Sequence, residues 1–191
     1  GWAVLFSNTG RDDYREKRNL RLFEAQGVGG VLVVPQGDIG AELSELRRRG
    51  VACVTIERSM SDDDIPSVGV DDRTGGRIGA QHLLERGRRR IAFLGDPATV
   101  VHVEERWRGV LDAVGSDNEA SARLIPIPTL TMDGGLRATQ ELLDSPHADW
   151  PDAIFGANDL VALGALQACL GAGVRVPEDL AIMGYDDIGF A

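Results

Sequence analysis

The chain has few of the residues that build disulfide or metal frameworks. In 191 residues there are two cysteines, Cys53 and Cys169, and three histidines. The cysteines are far apart, form no Cys-x-x-Cys pair and have no histidine pair nearby, so the sequence predicts neither a zinc site nor a disulfide framework. We expect no metal and no cofactor, and the two thiols favour a reducing, cytoplasmic location.

Long apolar runs are missing as well. The longest ones, such as residues 31–34, have the length of a strand, and none approaches the roughly 20 residues that a membrane-spanning helix requires. The N-terminal residues lack the basic region and the apolar core of a secretory signal. The sequence therefore gives no support for export, and we expect no membrane partner.

Basic residues are outnumbered by acidic ones, 20 to 30, which gives a formal net charge of −10. A charge of this sign repels a phosphate backbone unless local clusters reverse it. The three arginines at residues 88–90 follow a predicted helix, and their charge complements the dipole at its C-terminus. This polypeptide is therefore not expected to bind DNA by itself.

Short apolar runs rich in β-branched residues alternate with segments of helical length. The runs predict strands at residues 3–6, 30–34, 52–56, 67–70, 91–94, 153–155 and 180–183. Helices are predicted at residues 12–26, 41–49, 74–86, 103–114, 134–143 and 158–170. Parallel strands need crossover connections of this kind, so the predicted fold class is α/β with mostly parallel sheets covered on both faces.

One connection interrupts this alternation. The run at residues 67–70 follows the strand at residues 52–56 after a segment that is too short for a crossover helix. A change of lobe near Asp71 explains the interruption. We therefore predict an N-terminal lobe of residues 1–70 and a C-terminal lobe of residues 71–191, with a ligand cleft between them.

Polar side chains follow nearly all of the predicted strands. They lie within residues 7–9, 35–36, 57–58, 95–96, 157–159 and 185–187, nearly all of which can form side-chain hydrogen bonds. Ligands of open parallel sheets bind outside the carboxyl ends of the strands, which makes these residues candidates. Carboxylates, amides and guanidinium groups suit a neutral polyhydroxylated or nitrogenous ligand, because each buried hydroxyl then finds a hydrogen-bond partner. The same residue types are common in turns, so the prediction depends on the whole set.

Five segments resemble the effector-binding domain of LacI/GalR transcriptional regulators. They are SVGVDDRTGG at residues 67–76, HLLERGRRRIAFLG at 82–95, ERWRG at 105–109, AIFGANDLVALGAL at 153–166 and VPEDLAIMGYDDI at 176–188. Their order and spacing match the family, and the resemblance covers nearly the whole chain. It implies the type I fold of periplasmic sugar-binding proteins, which has two Rossmann-like lobes with the effector in the cleft between them.

The resemblance also implies a function and its partners. It implies the effector-binding and dimerisation domain of a DNA-binding regulator, a repressor that senses a small molecule and forms a homodimer. The effector is expected to be a sugar or sugar derivative, with a purine or nucleoside as the other class. The family's helix-turn-helix headpiece and the first strand and helix of its N-terminal lobe do not precede Gly1. By this resemblance the N-terminal lobe is incomplete, and operator DNA is bound through a headpiece absent from this chain.

Six positions match residues that line the family's cleft. They are Arg106, Asp186, Asn158, Arg58, His102 and Leu130. By the resemblance, Arg106 and Asp186 would hold ligand hydroxyls or ring nitrogens, Asn158 would add an amide contact, and Arg58 would reach across from the first lobe. Relatives often carry an aromatic stacking platform where this chain has Leu130, which leaves the ligand class open.

Two other classes of protein compete with this interpretation. A periplasmic sugar-binding protein of an ABC transporter shares the fold, although residues 89–92 and 176–179 resemble regulators. An α/β enzyme acting on a nucleotide or a sugar would need a catalytic constellation. His82, His102 and His147 are scattered, and no serine or cysteine nucleophile has a local signature beside any of them. We therefore expect a protein that is not an enzyme.

Overall fold

The computed structural model describes residues 1, 3–10, 12–35, 37–57, 65–98 and 101–190. They divide into two compact units, Gly1–Val70 and Asp71–Ala191. Each unit has a sheet of its own, and all strand pairs among the described residues are parallel. The predicted α/β fold class is confirmed. No helix within the described ranges is long and apolar enough to cross a membrane.

The described part of the first unit has a three-stranded sheet and two helices. In chain order its elements are α1 (Asp13–Ala25), β1 (Gly30–Val33), α2 (Gly40–Arg48), β2 (Ala52–Ile56) and β3 (Ser67–Val68). The strand order is β1-β2-β3. Its core contains Leu20, Val31, Ile39, Leu43, Leu46, Cys53 and Ile65. Both helices contribute leucines to this core, as expected for amphipathic helices that cover a sheet.

The strand predicted at residues 3–6 is wrong. Residues 3–9 form no regular element, and Val4, Leu5 and Phe6 are 67%, 53% and 93% exposed. A strand exists only through hydrogen bonds to a neighbouring strand, whereas the sequence pattern reports only apolar, β-branched composition. Within the described residues β1 pairs with β2 alone, so residues 3–6 do not extend this sheet.

The described part of the second unit has a four-stranded sheet and four α-helices. Its elements are α3 (Asp72–Glu85), β4 (Arg90–Leu94), α4 (Val101–Val114), β5 (Ser121–Ile125), α5 (Met132–Leu143), a short 3-10 helix (His147–Asp149), β6 (Ala153–Gly156), α6 (Asp159–Gly171) and β7 (Ala181–Met183). The strand order is β5-β4-β6-β7. The edge strand β5 was not predicted, because the polar residues Ser121 and Arg123 interrupt its apolar residues and leave no continuous apolar run.

The two faces of this second sheet bury two separate cores. On β4, Ile91 and Phe93 pack with α3 and α4, while Ala92 and Leu94 pack with α5 and α6. Successive side chains of a strand point to opposite faces, so the helix pairs cover opposite sides of the sheet. The central strands β4 and β6 are thereby buried on both sides, and their carboxyl ends open between the helix pairs.

Glycines allow each helix pair to pack closely. A Cβ at Gly76 would overlap the carbonyl oxygen of Arg106, which brings the middle of α4 against the first turns of α3. A Cβ at Gly164 would overlap the carbonyl oxygen of Met132 in the same way, between α6 and α5. Close backbone approach of this kind leaves no room for a side chain. It also sets the position of Arg106 relative to the start of α3.

Candidate functional site

Polar groups of the second unit meet at the carboxyl ends of β6 and β7. Ala157 and Asn158 follow β6, and Tyr185 and Asp186 follow β7. Arg106 reaches the same place from the second turn of α4. Because β6 and β7 are parallel neighbours, the residues that follow them lie at one edge of the sheet.

Arg106 is the centre of this group. Its side chain is only 9% exposed, and its Nε donates to Oδ1 of Asp72 at 2.8 Å. Its Nη1 donates to the carbonyl oxygen of Ala157 at 2.6 Å, and its guanidinium carbon lies 3.7 Å from the centroid of the Tyr185 ring. The charge-assisted hydrogen bonds and the aromatic face hold the cation in one orientation. A buried cation with fixed donors is suited to orient a polar ligand.

Asp72 and Tyr185 form the support of this arginine. Asp72 is the first residue of α3, and its side chain is 11% exposed. The Tyr185 hydroxyl lies against Gly75, where a Cβ would overlap it. Burial, followed by the charge of Asp72, raises the pKa of the Tyr185 phenol despite the neighbouring Arg106. The phenol therefore stays protonated at neutral pH.

Asp186 lies beside the arginine at the surface of the site. Its Oδ1 is 3.7 Å from Nη2 of Arg106, and its side chain is 42% exposed. The pKa of this carboxyl is raised, chiefly by burial and also by the charges of Asp159 and Asp72, although Arg106 and His102 lower it. The two predicted ligand-binding groups, Arg106 and Asp186, are therefore neighbours in the structure.

Replacing Asp186 with asparagine tests the raised pKa. The pKa of this carboxyl is higher in the folded chain than in the unfolded chain, where it is about 4. Its contribution to stability is therefore fully present below the unfolded pKa and is lost as pH rises through the folded pKa. The asparagine amide has no proton to lose in this range, so we expect the variant to gain stability relative to the parent as pH rises from about 4 to neutral. Urea unfolding at a series of pH values measures this difference, and a constant or falling difference would contradict it.

The side chain of Asn158 forms hydrogen bonds with two backbone atoms. Its Oδ1 accepts from the amide of Val161 at 3.0 Å and so caps the N-terminus of α6. Its Nδ2 donates to the carbonyl oxygen of Leu130 at 3.3 Å, which ties α6 to the segment that precedes α5. The amide predicted to contact the ligand is thus placed at the site edge by the helix that it caps.

The remaining predicted residues are placed differently. His102 is half-buried and lies four residues before Arg106 on α4, which places both on one face of the helix, and it lowers the pKa of Asp186. Leu130 is half-buried and packs against both apolar cores of the unit. Arg58 lies outside the described residues. The structure therefore groups His102 with Arg106 and Asp186, and gives Leu130 a packing role.

Asp72, Asp159 and Tyr185 were not predicted to contact the ligand. Asp159 and Tyr185 belong to the polar strand-end set, and Asp72 lies in the segment SVGVDDRTGG. Nothing in the linear sequence pairs residue 72 with residue 106, because α3 and α4 meet only in the folded unit. The sequence therefore showed the types and positions of these three residues, but not the residues that they contact.

A metal centre finds no support in the described part of the chain. These residues contain no group of three or more histidine, cysteine, aspartate or glutamate side chains that could hold a metal ion. Cys53 and Cys169 are buried and free. Burial raises the pKa of both thiols, against a smaller lowering by Arg47 at Cys53. A raised thiol pKa disfavours the thiolate that binds metals or acts as a nucleophile.

Comparison with known proteins agrees with the fold. Residues 80–191 match the family described as periplasmic binding protein-like domain. The chain belongs to this family. Among curated proteins, this periplasmic binding protein-like domain is similar to the HTH-type transcriptional regulator CelR of Thermobifida fusca, with 35% identity over 94% of this chain and 53% of the relative. The domain thus spans about half the length of that regulator.

Solved structures of LacI family proteins are similar to the domain as well. A regulatory protein of the LacI family from Chloroflexus aggregans is 27% identical with a TM-score of 0.80, covering 96% of this chain and 65% of that protein. A LacI family transcriptional regulator from Enterococcus faecium with bound ribose is 27% identical with a TM-score of 0.77, covering 90% and 63%. The predicted resemblance to LacI-type regulators and the predicted periplasmic-binding-protein-like fold are confirmed.

Proposed function

We propose that this chain is the effector-binding and dimerisation domain of a cytoplasmic, LacI-type transcriptional repressor that senses a sugar or sugar derivative. The observation that carries the proposal is the buried, oriented Arg106 beside Asp186, at the strand ends where ligands of parallel sheets bind. The similar regulator CelR matches 94% of this chain, and one similar LacI family structure contains ribose.

The chemistry of the site suits a polyhydroxylated ligand. A sugar hydroxyl both donates and accepts hydrogen bonds, and the arginine offers donors while the carboxylate of Asp186 offers acceptors. Arg106 is held by Asp72 and Ala157, so little side-chain entropy is lost when a ligand arrives. Binding of this kind requires no bond to be made or broken, and the proposed role is recognition without catalysis.

Regulation requires the sugar to favour one conformation of the regulator over another. The formal charge of −10 makes this chain a poor ligand for operator DNA. We therefore propose that operator DNA is bound through a headpiece that is not in this chain, which spans about half the length of the regulators it matches. Two copies of the domain would pair two DNA-binding units on one operator.

The proposal is tested by thermal unfolding of this chain with D-ribose, D-glucose, disaccharides, sugar phosphates, nucleosides and purines. We expect one class of free sugar to raise the unfolding midpoint. A ligand at 100 times its dissociation constant adds about 2.7 kcal/mol to the free energy of unfolding. Isothermal titration then measures affinity and stoichiometry. Stabilisation by purines alone would contradict a sugar effector, and a folded chain that binds none of these compounds would contradict the sensing role.

A further inference from the structure

Asp159 is a buried carboxylate that the proposed site does not use directly. It is the first residue of α6 and only 5% exposed. Its Oδ2 accepts from the amide of Ile188 at 2.9 Å, and its own amide donates to the carbonyl oxygen of Tyr185 at 2.8 Å. One residue of α6 therefore holds both ends of the segment 185–188, which carries Asp186.

That segment has a backbone conformation that needs external support. Asp186 and Asp187 have φ angles of 110° and 57°, in the region that is sparsely populated by residues other than glycine. Such conformations persist when the surrounding structure holds them in place. The carboxylate of Asp159 also lies against Gly184, where a Cβ would overlap Oδ1. The glycine before Tyr185 leaves room for the bond between the carboxylate and Ile188.

We propose that Asp159 is a positioning residue, which holds the turn at residues 185–188 so that the Asp186 carboxylate stands beside Arg106. The ion-pair distance of 3.7 Å between Arg106 and Asp186 depends on the path of this turn. The effect on sugar affinity rests on the proposed function, whereas the effect on the turn itself does not. Asp159 acts through Asp186 and need not touch the ligand.

The negative charge of Asp159 allows a second test of its position, through the pKa of Asp186. Asp159 and Asp72 raise the pKa of the Asp186 carboxyl in addition to burial, and Arg106 and His102 lower it. Asparagine at position 159 keeps an oxygen that can accept from Ile188 but removes the negative charge. The pKa of Asp186 should therefore fall in Asp159→Asn while the turn is kept.

Asp159→Ala and Asp159→Asn are compared with the parent chain by amide hydrogen exchange of Ile188 and by carboxyl-carbon NMR titration of Asp186, without ligand. Asp133→Asn is the matched control, because Asp133 is also a first-turn acid, on α5, and pairs with Arg137 at the surface. We expect exchange at Ile188 to rise about tenfold or more in Asp159→Ala, since a hydrogen bond to a charged acceptor is lost. In Asp159→Asn exchange should stay within about threefold of the parent.

The positioning role of Asp159 and the sugar effector would be contradicted by different results. Unchanged exchange at Ile188 in a folded Asp159→Ala variant, or an unchanged Asp186 titration in Asp159→Asn, would overturn the positioning role. Titration with D-ribose and D-glucose then tests the consequence for affinity, which we expect to weaken about tenfold in Asp159→Ala and to recover in Asp159→Asn. If the parent chain binds none of the sugars of the thermal-unfolding panel but the exchange and NMR results hold, the proposed sugar effector fails and the positioning of the turn stands.

Discussion

Replacing Gly164 with alanine is expected to destabilise the second unit by about 3 kcal/mol. Gly164 lies in the middle of α6, where the added Cβ would overlap the carbonyl oxygen of Met132 and lie 2.7 Å from the amide nitrogen of Leu136. Both atoms belong to the backbone of α5 and cannot rotate away, so the two helices must separate. Separation opens the core that α5 and α6 share with the sheet, and loosened packing loses dispersion contacts throughout it.

Gly171 provides the matched control on the same helix. It is the last residue of α6, and a Cβ there would meet no atom within 4 Å. Alanine is a better helix former than glycine, so Gly171→Ala should be neutral or stabilising by up to about 1 kcal/mol. Urea unfolding followed by circular dichroism compares the two variants. Equal effects of the two substitutions would show that α5 and α6 do not pack as closely as the structure indicates.

Removing Arg106 is expected to affect both stability and sugar binding. In Arg106→Ala the carboxylate of Asp72 and the carbonyl oxygen of Ala157 lose their buried partner, which should cost about 3 kcal/mol of unfolding free energy. Affinity for the sugar should fall at least about 30-fold, because a buried, hydrogen-bonded charge is removed. Arg106→Lys keeps the charge beside Asp72 but loses the planar fork, so it should recover stability better than affinity.

Arg108 is the control for this comparison, on the same helix. Its side chain is 52% exposed and pairs with Glu104 and Glu105 at the surface, so Arg108→Ala should change stability by less than about 1 kcal/mol. The sugar affinity of Arg108→Ala should equal that of the parent chain. Urea unfolding and isothermal titration separate the two effects. Full sugar affinity in a folded Arg106→Lys variant would show that the guanidinium geometry does not recognise the ligand.

Most elements could be predicted from the sequence because their signals are local. Apolar periodicity and capping residues identified the six α-helices of the described residues, with ends that differ by no more than two residues from those observed. The errors concern strands, whose existence depends on distant partners. Residues 3–6 have the composition of a strand but no partner in the described sheet, whereas the polar edge strand β5 is formed by its ladder to β4.

In the site as well, the sequence predicted which residues take part but not which residues support them. Arg106, Asp186 and His102 were singled out through the family resemblance, and the structure brings them together. Their supports were not predicted, because Asp72, Tyr185 and Asp159 acquire their roles only when α3, α4, α6 and the end of β7 converge. Asn158 could be predicted as a helix cap, since a cap bonds within three residues of itself.

The α/β class, the helices, the family and the chemical types available at the strand ends were therefore predictable from the linear sequence. Each of these follows from residue patterns within a helical turn, a strand or a short motif. The folded chain was needed to show which strands pair, which glycines permit close helix packing and how Arg106 is held by Asp72 and Tyr185. Those features depend on contacts between residues far apart in the chain, and their energies arise from burial and geometry that no linear pattern specifies.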